Sequence, residues 1–128
     1  MLSLGNRLKD PELFRLAMRK GVRAGNHALV AHVVTGEDLP KESLVGFVVP
    51  KKVFLRAHER NQAKRRLRHL MRGRLEKLPA HSVLVIRVLP GCKDANFAEI
   101  TNFLDSVLDR ALEKLARKNT ASVTTEGN

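Results

Sequence analysis

The chain has 128 residues, enough to bury one hydrophobic core and too few for two, so a single domain is expected. Its 24 Lys and Arg against 13 Asp and Glu give a net charge of +11 and a pI near 10.7, which calls for a polyanionic partner, either nucleic acid or an anionic membrane surface. No run approaches the roughly 20 apolar residues of a membrane span, the opening MLSLGNRLKD meets charge too early for a secretory signal, and the single Cys92 can make no internal disulfide. A reducing, cytoplasmic setting with no membrane partner is expected.

In chain order, the first element is a helix over 11–20. Asp10 can cap it, Pro11 suits its first position, and Gly21 suits a left-handed exit; Leu13, Phe14, Ala17 and Met18 recur at helical spacing. Two runs rich in β-branched residues follow, HALVAHVVTG and SLVGFVVP, separated by GEDLPKES with its turn formers, and they read as a hairpin with a long loop. VRAG before Asn26 is a candidate for a further short strand.

The charge then concentrates. Residues 51–77 carry 11 basic side chains against Glu59 and Glu76, whereas residues 91–128 hold 5 basic and 6 acidic. A helix is predicted over 59–77. At about 100° per residue, Ala63, Leu67, Leu70 and Met71 share one side, with Leu78 just beyond, and that side faces a core. Asn61, Arg65, Arg68 and Arg72 form a strip away from it, flanked by Lys64 and Arg66. Like charges at these spacings repel, so stability alone does not favour the arrangement, and a merely solvated face would mix signs. Arginine forks hold phosphates, so nucleic acid is the expected partner. A calmodulin target or membrane-surface helix would need a free apolar face, and here that face is committed.

SVLVIRVLP reads as a strand covered on both faces, interrupted only by Arg87. Asn96 and Glu99 resemble a capping box for a last helix, whose Phe97, Ile100, Leu104, Val107, Leu108, Ala111 and Leu115 form a wide core face. Residues 119–128, polar and without periodicity, are expected to be a disordered tail after a domain spanning 1–118. The five histidines, at 27, 32, 58, 69 and 81, lack metal-ligand spacing, and Glu37, Asp38 and Glu42 read as a solvated loop. No catalytic residue and no metal site of the chain's own is expected.

ERNQAKRRLRHLMR at 59–72, VGFVVPKKV at 45–53 and NRLKDPELF at 6–14 resemble, in order, the protein subunit of bacterial ribonuclease P, over roughly residues 6–115. Gln62 stands where the family has a second Arg, and the loop ahead of the helix, KKVFLRAHERN, is longer than in many members. The resemblance implies an α+β fold of three helices around a four-stranded mixed sheet, like domain 2 of ribosomal protein S5, with a left-handed strand-helix-strand crossover. It implies a hydrolase holoenzyme in which the catalytic RNA, with Mg2+, cleaves the 5′ leader from precursor tRNA, while this chain binds and positions. Lys51, Lys52, Arg56, Arg60, Asn61, Lys64, Arg65, Arg68 and Arg72 would contact the catalytic RNA. Phe14, Met18, Leu29, Val30 and His32 would line a cleft for the single-stranded leader, with Met18 and His32 where the family often has aromatics. No small-molecule substrate is implied. A ribosomal or assembly protein, and an independent nuclease, are the competing readings.

Overall fold

In a computed structural model the chain forms, in order, α1 (Pro11–Lys20), β1 (Val22–Gly25), β2 (Leu29–Thr35), β3 (Leu44–Val48), α2 (Ala57–Arg72), β4 (Ser82–Val88) and α3 (Phe97–Gly127), with three short 3-10 turns. Residues 4–127 are described, with side chains from 5 to 118, so the tail expected at 119–128 lies outside the fully described residues.

The sheet has the order β1-β2-β4-β3, with β3 and β4 parallel and the other neighbours antiparallel. The hairpin expected between the two long β-branched runs is therefore not formed, because β4 enters between them. The hairpin is instead β1 to β2, turned by Asn26, whose side-chain oxygen accepts from the N–H groups of Ala28 and Leu29 at 2.9 Å each. The parallel neighbours β3 and β4 are joined through α2, and the extended segment before α1 bridges β3's outer edge, Arg7 opposite Val45.

Two cores result from the period of two along each strand. Leu29, Ala31 and Val33 with Leu84, Ile86 and Val88 face Leu104, Val107 and Leu108 of α3 and Leu67, Leu70 and Met71 of α2. Val83 and Val85 face the other way, with Ala17, Leu13 and Phe14 of α1. The central strand is thus covered on both faces, as its apolar run predicts. Phe97 departs from its expected core position and is 45% exposed, since it opens the helix ahead of the packed turns.

The helix ends follow local chemistry. Asp10 accepts from the Glu12 N–H at 2.9 Å, and Asn96 with Glu99 close a reciprocal capping box at 2.8 and 3.0 Å. Gly21 is not left-handed: its φ is −73°, and glycine is needed there because a Cβ would fall 2.4 Å from the Ala17 carbonyl oxygen and 2.7 Å from that of Val33. The basic helix starts at Ala57 and stops at Arg72, short of the expected 59–77, and residues Leu75–Lys77 form a separate 3-10 turn. Gly73 weakens helix propagation, and Arg74 turns back to donate to the Leu70 carbonyl at 2.8 Å.

Candidate nucleic-acid interface

Leu67, Leu70 and Met71 fix the rotation of α2 by burying its apolar side, and the polar arc is thereby set outward. Asn61, Arg65 and Arg72 are exposed; Lys64 and Arg68 are half-buried beside them. Lys51, Lys52 and Arg56 lie exposed on the loop that enters the helix, where the Val53 N–H donates to the Pro50 carbonyl at 3.1 Å and the buried Val53 side chain anchors the turn. Eight of the nine predicted contacts therefore reach solvent on α2 and on the loop that enters it.

Arg60 is the ninth, and its surroundings differ. Its Nη1 donates to the Phe54 and Leu55 carbonyls at 2.8 and 2.9 Å, so part of its guanidinium is committed inside the chain.

Charge on this face is uncompensated. Among the described residues Lys64, Arg65, Arg68 and Arg72 take part in no ion pair, and partial burial together with the positive charges of Arg7 and Arg65 holds the Arg68 guanidinium below its usual value while leaving it charged. Arg7 is a member of the surface that charge counting along the helix misses. It arrives from the segment on the β3 edge, and its only signal in sequence is its place in NRLKD. By contrast Arg74 and Lys77, counted in the basic excess, are paired to Asp105 and Asp109 of α3. Arg66 lies on the opposite flank, toward Cys92, whose thiol is pushed up by burial against the opposing pull of Arg66.

The second predicted surface is only partly assembled. Register places Arg23, His32, Val85 and Gly46 in one row across the sheet, and Gly25, Val30, Arg87 and Val48 in the next, all on the α1 side. Phe14 lies over the first row: a Cβ on Gly46 would fall 2.4 Å from its ring. Met18, on the same helix, is 36% exposed. Leu29 does not belong here. It is fully buried on the α3 side, because it is one residue out of phase with Val30 and His32. Arg23 and Arg87 stand in these two rows instead, one in each, and the lone charge in SVLVIRVLP is the sequence signal for the second of them. Burial first, then the charges of Arg23 and Arg87, lower the pKa of His32 from 6.5 and so favour its neutral form.

Among the described residues no three His, Cys, Asp or Glu side chains converge as metal ligands do, and no helix is long and apolar enough to cross a membrane.

An α+β domain with a cationic helix set on a mixed sheet is the class that the fold and this surface define. Solved structures share the fold. The RNase P protein of Staphylococcus aureus superposes with a TM-score of 0.74 at 24% identity, covering 83% of this chain and 94% of that one, and the RNase P protein from Thermotoga maritima with 0.69 at 23%, covering 81% and 96%. At the level of sequence, the ribonuclease P protein components of a Nocardioides species and of Streptomyces griseus are each 46% identical, over 111 and 125 residues, covering 86% and 91% of this chain and 94% and 100% of theirs. The ribonuclease P family profile matches residues 2–112. This chain belongs to that family, the protein component of a tRNA-processing endoribonuclease.

Proposed function

We propose that the chain binds the ribonuclease P RNA through the exposed strip of α2 and the loop before it, and receives the 5′ leader of precursor tRNA in the cleft between α1 and the sheet. One observation carries the reading: Asn61, Lys64, Arg65, Arg68 and Arg72 stand together on a helix whose other side is locked in the core, and among the described residues no acid forms an ion pair with Lys64, Arg65, Arg68 or Arg72. A phosphate backbone relieves that repulsion and supplies a salt-dependent affinity. The single-domain protein offers binding and positioning; hydrolysis, with Mg2+, belongs to the RNA.

Phe14, Met18, Val30 and His32 are the leader residues in this reading, with Arg23 and Arg87 beside them. With one Phe in the cleft and no Trp or Tyr in the chain, stacking contributes little here, and cations near the sheet surface take a larger share of single-strand binding.

Reconstitution tests the proposal. Adding the protein to its cognate RNA should restore precursor-tRNA cleavage at low magnesium. Unchanged cleavage would defeat the reading, as would cleavage by the purified protein freed of RNA.

A further inference from the structure

We propose that Arg60 is a positioning residue, which holds the basic loop 51–56 in its RNA-ready shape and is not one more phosphate contact. The inference rests on the reading of α2 as the RNA surface.

The helical face comes first. Arg60 precedes Ala63, Leu67 and Met71 by three, seven and eleven residues, so it lies along the apolar stripe of α2 and off the strip of Asn61, Arg65, Arg68 and Arg72. Its Nη1 then reaches two successive carbonyls of the loop, Phe54 at 2.8 Å and Leu55 at 2.9 Å.

Those two carbonyls fall in a gap of the backbone's own bonding. The turn after β3 closes with Val53 and Phe54 N–H groups on the Pro50 carbonyl, and the helix begins with Glu59 and Arg60 N–H groups on the Arg56 carbonyl. Arg56 caps the helix without a side-chain hydrogen bond. Between the turn and the cap, among the described residues, the Arg60 guanidinium supplies the hydrogen bonds that tie the loop backbone to the helix, beside the packing of the Phe54 side chain against the core. The exposed side chains it presents are Lys51, Lys52, Arg56 and Leu55, the last 78% exposed among the cations.

A loop already held in its bound shape loses less freedom when RNA arrives, so the latch acts on affinity without adding a neutralised phosphate. A planar fork can serve two carbonyls from one nitrogen while keeping its remaining N–H groups hydrated; a lysine at the end of a flexible stem does not reproduce that geometry.

The experiment titrates the full-length protein into ribonuclease P RNA over a salt series, for the parent, Arg60→Ala, Arg60→Lys and Arg65→Ala, and measures trypsin cleavage after Lys51, Lys52 and Arg56 in each free protein. Arg65→Ala should lower the slope against the logarithm of salt by about one. Arg60→Ala should bind several-fold more weakly with the parental slope and with faster loop cleavage, and Arg60→Lys should behave like Arg60→Ala despite keeping its charge. A slope lowered by about one in Arg60→Ala, or parental affinity and cleavage in Arg60→Lys, overturns the proposal. Should Arg60→Ala fail to fold, the Arg60→Lys comparison decides by itself. An unchanged slope in Arg65→Ala is a separate outcome, which removes the RNA-surface reading and the role of Arg60 with it.

Discussion

The Arg74 guanidinium grips the Asp105 carboxylate through two hydrogen bonds, Nε to Oδ1 at 2.5 Å and Nη2 to Oδ2 at 3.1 Å, and so ties the turn after α2 to the first third of α3. The hydrogen bond from Arg74, more than any other influence, lowers the Asp105 pKa below 3.8. Asp105→Asn should destabilise the protein by about 1 kcal/mol, between an exposed pair and a buried charged hydrogen bond. Because the folded pKa is depressed, the stabilisation is fully present above the ordinary carboxylate range and is lost as pH falls through the depressed value. Urea unfolding of parent and variant should therefore differ at neutral pH and converge in acid; equal midpoints at neutral pH would show that the pair contributes nothing.

Arg65 and Arg68 share the outward strip with Arg7 close enough for its charge to act on Arg68. Replacing both by Ala should lower the salt slope of RNA binding by about two, while leaving thermal stability unchanged or slightly raised, since like-charge repulsion is removed. A salt titration with a thermal melt checks both parts. An intact slope would place the contact surface elsewhere.

Gly21 joins α1 to β1 where two backbone carbonyls approach within 2.4 and 2.7 Å of the missing Cβ. Backbone atoms cannot step aside as a side-chain tip can. Gly21→Ala should cost about 1 to 3 kcal/mol and loosen α1 against the sheet, read as a lower urea midpoint. A midpoint equal to the parent's would mean that the junction relaxes freely.

His32 has its pKa lowered by burial and by Arg23 and Arg87. The unfolded chain binds a proton at a higher pH than the folded one, so stability falls as pH drops through 6.5 and continues to fall until the folded group also titrates. In His32→Gln that part of the acid loss should vanish. Comparing the unfolding midpoints of the two proteins at about pH 7.5 and about pH 5 tests it, and parallel losses would assign the acid sensitivity to other groups.

Phe14 lies over Gly46, on the face of the sheet proposed to receive the leader. Phe14→Ala should reduce the preference for precursor tRNA bearing a leader over mature tRNA by no more than about 1 kcal/mol, the low end for one stacked base, with little effect on binding to the catalytic RNA alone. A preference that survives intact would put leader recognition on the cations.

The elements with a strong local signal were legible in the chain: Asp10 and Pro11 mark the start of α1, Asn96 and Glu99 that of α3, and the spacing of Leu67, Leu70 and Met71 orients α2. Each signal lies within a few residues of its effect, so sequence order carries it. Strand pairing does not work that way. β2 and β3 are neighbours in sequence and not in the sheet, because β4, which arrives more than thirty residues after β3, is the apolar strand that both can cover. Leu29, which the family resemblance groups with Val30 and His32, faces α3 instead, because successive residues of a strand alternate faces. Sequence by itself determined that this protein carries one basic helix with an apolar back and the motifs of its family. Only the tertiary structure decided which cations remain outward, turning Arg74 to Asp105 and Lys77 to Asp109 and bringing the charge of Arg7 to bear on Arg68, because each of those groups lies on a distant segment that folding alone brings near.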